Sequence, residues 1–331
     1  MATQPKQHFP SIDLLRGLAA LTVAFYHYSN FFLPETNPLN FLFARGYLGV
    51  QSFFVISGVV VPYSLAQKNY SIRQIGSLFV GRAIRIEVAY WASIALVLFL
   101  DACAWYQNIW QWSGMKLYDV FLHFFHLNGI MHQPWLRAIY WTLAIDWQFY
   151  IFALLAFPLL NRREWWIRYA FYALFACRFW AQPLYVRLPY HLSAFGAGVM
   201  LFHYYQGFMG KKELAIALTV VLGIHHYQID WELCAATVLP CAIILFVNKE
   251  WSWAKFLGKT SYSFYLTHIS TGWMLLNGVV KYCGKDNEWL MSGAIFVAVA
   301  FSLFFANYFY KWVEVPTLKW GKSWTKWVNG S

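Results

Sequence analysis

A chain of 331 residues that is 60% hydrophobic, 21% aromatic and only 12% charged is not a soluble domain, which would carry about twice that share of charge. Its net charge of +11 would suit a nucleic-acid binder, but the cations cluster between apolar stretches, where they set membrane topology, so no nucleic-acid partner is expected. The cysteines (Cys103, Cys177, Cys234, Cys241 and Cys283) lack CxxC spacing and are odd in number, which argues against both a disulfide framework and a zinc site.

Apolar stretches of about 20 residues follow one another with short polar breaks, the pattern of an all-α polytopic transmembrane bundle. The reading gives ten spans, near 12–33, 47–66, 83–104, 138–160, 164–180, 188–207, 213–227, 231–247, 257–280 and 289–312. Alternate breaks are basic: Lys68, Arg73, Arg82 and Arg85; Arg162, Arg163 and Arg168; Lys211 and Lys212; Lys249, Lys255 and Lys259; then Lys311, Lys319, Lys322 and Lys326. The others hold fewer cations or balance them with Glu35, Asp119, Asp230, Glu232, Asp286 and Glu288. The positive-inside rule then puts both termini in the cytoplasm. The first apolar segment is too long and too polar for a cleaved leader, and no repeat or linker divides 1–331, so one integral-membrane domain with no appended extracytoplasmic domain is expected.

The first span holds the most informative pair. Arg16 and His27 are eleven residues apart, so on a helix they share a face, roughly 16 Å apart along the axis. A cation inside a membrane helix is costly unless it snorkels or faces a polar interior, and an imidazole is suited to moving a proton near neutral pH. Asp13 lies one turn before Arg16. The plainer reading has Arg16 snorkelling and His27 bonding a backbone carbonyl. In the second span Gly49 and Gly58, and in the sixth Gly196 and Gly198, permit close helix approach.

Entering the third span, Arg82 and Arg85 stand three apart on one helix face, where two guanidiniums can converge on phosphate oxygens. Ordinary cytoplasmic anchoring is the alternative. Glu87, just inside, can pair with one of these arginines or with another cation. The long break from Trp105 to Arg137 is aromatic and bears histidines over Phe121 to Leu127, suggesting an interfacial helix on the outer side. Asp146 and Gln148 lie within the fourth span, where a carboxylate needs a cationic or hydrogen-bonding partner; either an oriented histidine or arginine, or a purely structural pair, meets that need. His268 sits alone inside the ninth span, which more often marks packing than catalysis. His225 and His226 have no clear third ligand, so no metal is expected.

Taken together these motifs resemble the acyltransferase-3 family of polytopic enzymes that O-acylate bacterial surface glycans. Asp13-Leu-Leu-Arg16-Gly-Leu-Ala-Ala resembles its opening signature, Arg16-x10-His27 its Arg–His spacing, Gly46 to Gly58 its second helix, and Arg82-Ala-Ile-Arg85 its cytoplasmic Arg-x-x-Arg. Leu257 to His268 and Glu314-Val-Pro316 resemble its closing elements. Where the family carries a Glu-Glu doublet before Gln-Phe-Tyr, this chain has Asp146-Trp147.

The resemblance implies an acyl-CoA donor, most often acetyl-CoA, and a glycan or lipid-linked sugar acceptor at a bacterial inner membrane. His27 would then act as general base, Arg82 and Arg85 would hold the CoA phosphates, and Arg16 would serve the donor, the oxyanion or the imidazole. A covalent acyl-histidine relay is a variant of the same scheme. Aromatic surfaces for sugar rings are expected from Trp105, Tyr106, Trp110, Trp112 and Trp135. The competing class is a transporter or flippase using the same Arg and His for substrate or proton relay, which predicts an inverted repeat that the sequence does not display.

Overall fold

The computed structural model describes residues 9–106, 116–177, 188–228 and 231–330. Within them a helix stands at each of the ten apolar stretches: α1 (Pro10–Phe32), α3 (Gly49–Gln67), α4 (Ile75–Tyr106), α6 (Tyr140–Leu160), α7 (Trp165–Ala176), α8 (Leu188–Tyr205), α9 (Lys211–Gln228), α10 (Trp231–Phe246), α11 (Ser252–Cys283) and α12 (Glu288–Phe309). Two short helices, α2 (Pro38–Phe43) and α5 (Leu117–His123), and a C-terminal α13 (Val315–Gly330) complete the set. The described residues contain no strand.

Local chemistry sets several boundaries. Asn37 caps α2 by accepting from the Leu39 amide, with Pro38 supplying the pre-set φ of a first helical residue. Asn287 caps α12 through the Leu290 amide. After α8 and α11 the chain turns at Gly207 and Gly284, whose φ of 69° and 77° lies where a side chain would be strained.

Among the described residues four stretches are long and apolar enough to cross a membrane: Pro38–Gln67, Ile72–Cys103, Tyr140–Leu160 and Glu288–Thr325. Four of the other six expected spans fall short for identifiable reasons. The 12 residues of α7 and 16 of α10 reach about 18 and 24 Å against a hydrocarbon core of about 30 Å. In α1 and α11 the apolar run is interrupted by Asp13, Arg16 and His27, and by Lys255, Lys259 and His268.

The chain forms two compact units, which residues 1–16, 50–76 and 142–255 and residues 17–49, 77–141 and 256–331 compose. In the first, α8 is buried without interruption from His191 to His203, the signature of a central helix rather than of a lipid-facing one. Its glycines explain how it gets there. A Cβ at Gly58 of α3 would strike the Phe195 carbonyl, one at Gly198 would strike the Val55 carbonyl, and one at Gly196 would enter the Phe175 ring. Phe149 stacks on Phe195 at 4.2 Å in the space beside this contact.

The polar groups of α8 are satisfied. His203 Nε2–H donates to the Leu160 carbonyl (2.8 Å) and its Nδ1 accepts from the Tyr172 hydroxyl (2.7 Å). Arg168, read from the sequence as a topology-setting loop cation, proves otherwise: it is buried in α7, paired with Glu213 at 2.9 Å and bonded to the Phe208 carbonyl. A guanidinium already neutralised in the protein interior carries little weight in the positive-inside count.

In the second unit, Gly46 and Gly49 lie against the α1 backbone and side chains around Thr22, Gly17 meets Leu257, and Gly81 meets Gly321. The stretch expected to form an interfacial helix condenses into the seven-residue α5 and a series of turns. Its outward side chains, Leu117, Phe121, Phe124 and Phe125, are exposed and apolar, while His123 and Asn128 are buried. His123 Nδ1–H donates to the Asp119 carbonyl (2.7 Å) and its Nε2 accepts from the Leu136 amide (2.9 Å). The Asn128 amide donates to the Asp119 and Pro134 carbonyls. Arg137 closes the segment with an ion pair to Asp101 of α4.

Candidate active site

α1 runs unbroken from Pro10 to Phe32, so Arg16 and His27 do stand on one helix. His27 belongs to the second unit, and there it meets the residue that looked isolated in the sequence. The imidazoles of His27 and His268 lie 5.6 Å apart between ring centroids, tilted by 36°. His268 is fully buried. Its Nδ1–H donates to the Tyr265 carbonyl at 2.9 Å, with Phe264 at 3.2 Å, which leaves Nε2 as a lone-pair acceptor. That Nε2 is buried without a hydrogen-bond partner.

A second layer holds this pair in place. The Tyr28 hydroxyl, adjacent to His27 in sequence, donates to the His268 carbonyl at 2.6 Å and lies 2.9 Å from Ser302 Oγ. Thr271 Oγ1 donates to the same serine at 2.9 Å. α1, α11 and α12 are thus fastened together around the two imidazoles. The carbonyl bond from α11 keeps His268 in one tautomer, with Nε2 as its acceptor atom.

Arg82 and Arg85 stand near the start of α4, Arg82 half-buried and Arg85 exposed. The turn beside them is built from C-terminal residues. Thr317 Oγ1 bonds the Arg85 and Glu314 carbonyls, and Glu314, buried in the wide turn Tyr310–Glu314, accepts from Ser263 Oγ at 2.7 Å. Ser263 lies on α11, five residues before His268. One helix therefore carries both the histidine contact and the anchor of the C-terminal turn. Sequence reasoning saw Glu314 only as part of a closing motif; its buried position in a widened helical turn is what singles it out.

The remaining expected residues are distributed as follows. Asp13, Arg16, Asp146 and Gln148 belong to the first unit and are all half-buried. Gln148 Oε1 accepts from the Leu188 amide at the start of α8 (3.0 Å), a structural role. Glu87 pairs not with an arginine but with His126, at 2.9 Å. Trp135 is half-buried and meets His123 edge-on at 5.6 Å. Trp110 and Trp112 lie outside the described residues, as do the side chains of Trp105, Tyr106, His225 and His226. Among the described residues no group of three His, Cys, Asp or Glu could hold a metal ion.

Comparison with known proteins bears on what these residues do. The acyltransferase-3 family model, an acyltransferase domain, matches residues 9–311. A provisionally named acetyltransferase, ORF330 of Acidianus two-tailed virus, is 24% identical over 81% of this chain and 84% of its own length. Peptidoglycan O-acetyltransferase OatA of Listeria monocytogenes is 29% identical over 44% of the chain and 24% of its own length. A provisionally named O-acetyltransferase of Staphylococcus aureus is 24% identical over 95% of the chain and 58% of its own length. The chain thus spans only part of these last two relatives. No solved structure matches. The family match extends from the start of α1 to Lys311, taking in the paired histidines and the Arg-x-x-Arg turn, and the chain is an acyltransferase enzyme of the acyltransferase-3 family.

Proposed function

We propose that the protein is an integral-membrane O-acyltransferase that moves an acyl group, preferentially acetyl, from cytoplasmic acyl-CoA to a hydroxyl of a glycan or glycolipid at the membrane or its outer side. The observation that carries the reading is the pair His27 and His268, 5.6 Å apart, in a chain that matches the acyltransferase-3 family. The names of the relatives, acetyltransferase and O-acetyltransferase, favour acetyl and oxygen. In this reading the chain crosses a bacterial cytoplasmic membrane ten times with both termini inside, its shorter helices spanning a locally thinned or protein-lined region.

The acceptor hydroxyl loses its proton to His27 as its oxygen attacks the thioester carbonyl carbon. The C–O bond forms, the C–S bond breaks, and the thiolate leaves with the electron pair and collects the proton. His268, its Nδ1–H bonded to its own helix, packs beside His27 and limits where that ring can turn. Arg82 and Arg85 hold the nucleotide phosphates through planar guanidinium forks. Arg16 stabilises the thioester end of the donor or the developing oxyanion. Asp146 orients a cationic partner.

The test is release of free CoA from acetyl-CoA by the purified chain with a glycan acceptor. The His27→Ala variant should stay folded and lose release, and full turnover by that variant would overturn the mechanism. The Arg82→Ala/Arg85→Ala variant should weaken CoA binding; unchanged affinity would refute the phosphate assignment. Mass spectrometry of envelope glycans with and without the protein, read for an acetyl mass shift, identifies the acceptor.

A further inference from the structure

A second cluster of unmet polar groups lies in the second unit, apart from the residues used above. His126 Nε2–H donates to Glu87 Oε1 at 2.9 Å, and the Tyr90 ring stacks on the imidazole at 4.7 Å and 19°. Donation from Nε2 leaves Nδ1 of a neutral His126 as an acceptor. Three atoms of this one cluster, Glu87 Oε2, His126 Nδ1 and the Tyr90 hydroxyl, are buried with no hydrogen-bond partner. A buried polar atom left unmet costs about 1–3 kcal/mol, so packing alone gives no reason to gather three.

The backbone adds a second observation. His126 is held at φ +55°, a left-handed conformation that glycine adopts freely and residues with a side chain adopt at a cost. The frame that imposes it is the hydrogen-bonded one around His123 and Asn128. Strain kept at a polar, unsatisfied position is characteristic of ligand sites.

The chemistry of the three atoms defines what fits. A carboxylate oxygen and an imidazole nitrogen both want donors, and the phenol can donate in return. An anion is excluded by Glu87. Two neighbouring hydroxyls match: one O–H to Glu87 Oε2, one to His126 Nδ1, with an oxygen accepting from Tyr90. We propose that Glu87, Tyr90 and His126 form a binding subsite for adjacent hydroxyls of the sugar acceptor, an inference that rests on the acyl transfer proposed above.

The Glu87 and His126 side chains each keep 10% of their surface open. In this proposal the hydroxyls reach the three atoms through that opening.

The experiment measures CoA release by the full chain in detergent, with acetyl-CoA as donor and two kinds of acceptor: a panel of methyl glycosides, and 1-butanol, which has a single hydroxyl. The variants are Glu87→Gln, Tyr90→Phe and His126→Gly, the last chosen because glycine accepts the backbone conformation at 126 without strain. For the variants the KM for the preferred glycoside should rise about tenfold or more, while transfer to 1-butanol and the KM for acetyl-CoA stay unchanged and the thermal midpoint stays unchanged in Glu87→Gln and Tyr90→Phe. An unchanged glycoside KM overturns the subsite. Equal loss on glycoside and butanol, or a lowered midpoint in all three variants, assigns the cluster a structural role and overturns it too. If the unsubstituted chain releases no CoA with any acceptor, the acyl-transfer reading falls first and takes the subsite with it.

Discussion

The contact between Tyr28 and Gly272 allows a quantitative test of how the histidine pair is held. An alanine methyl at position 272 would overlap both the Tyr28 hydroxyl and the ring carbon Cζ and press on Cε1 at 2.7 Å. The phenol must leave, giving up its bonds to the His268 carbonyl and Ser302. Each is worth about 1 kcal/mol net, and forcing a methyl into a packed contact adds about 1–3 kcal/mol. Alanine is better than glycine inside a helix by about 0.8–1 kcal/mol, which offsets part of this. The expected net cost of Gly272→Ala is about 2–4 kcal/mol.

Tyr28→Phe should cost less, about 1–2 kcal/mol, because Ser302 keeps its bond from Thr271 and the ring stays packed. With the hydroxyl gone its bonds cannot be lost a second time, so Gly272→Ala should be cheaper in the Tyr28→Phe background by about 1 kcal/mol or more although the ring must still move, a coupling that a double-mutant cycle isolates. The assay is reversible denaturant unfolding in detergent, read alongside CoA release. Strict additivity of the two substitutions, or a neutral Gly272→Ala, would refute the argument that this hydroxyl locks α1 to α11.

Two further predictions concern stability. In the first unit Gly58→Ala and Gly198→Ala each push a methyl into a carbonyl of the facing helix and should lower stability by about 2 kcal/mol or more, whereas Gly278→Ala and Gly293→Ala, with nothing within 4 Å, should be neutral or stabilising by up to about 1 kcal/mol in the same unfolding assay. Burial lowers the pKa of His123 below its ordinary 6.5, so the fold holds this imidazole neutral. Its contribution is complete above pH 6.5 and declines as pH falls towards the depressed value, since the unfolded chain takes up the proton first. Hydrogen exchange of the Leu136 amide, bonded to His123 Nε2, should therefore lose protection between pH 7 and pH 5; flat protection would contradict the buried neutral state.

Helices were legible in the sequence because an apolar run needs no partner to declare itself, and each of the ten stretches holds one. Gly58 and Gly198 were legible for the same reason, since small residues in apolar helices have few other uses. Placement was not. Arg168 looked like a loop cation because its partner Glu213 is 45 residues away, and α8 looked like any other span although its surface is enclosed by its neighbours. Periodicity describes a helix's own face and says nothing of what that face will meet.

The candidate site shows the same limit more sharply. His27 drew attention by its spacing from Arg16, while His268 was read as more often a packing residue than a catalyst and Glu87 as the partner of a nearby arginine or of another cation. Each changes meaning through a contact distant in sequence: His268 lies 241 positions from His27, and Glu87 meets a histidine 39 residues on. In an apolar chain an isolated polar residue is ambiguous, because satisfied packing and chemistry can use the same side chain. The distinction lies in the atoms left over after the partners are counted. His203 uses both ring nitrogens and is thereby accounted for as structure. His268 and His126 each use one and keep one buried and unmet, so these two histidines, not the fully bonded one, are where substitution should separate function from folding.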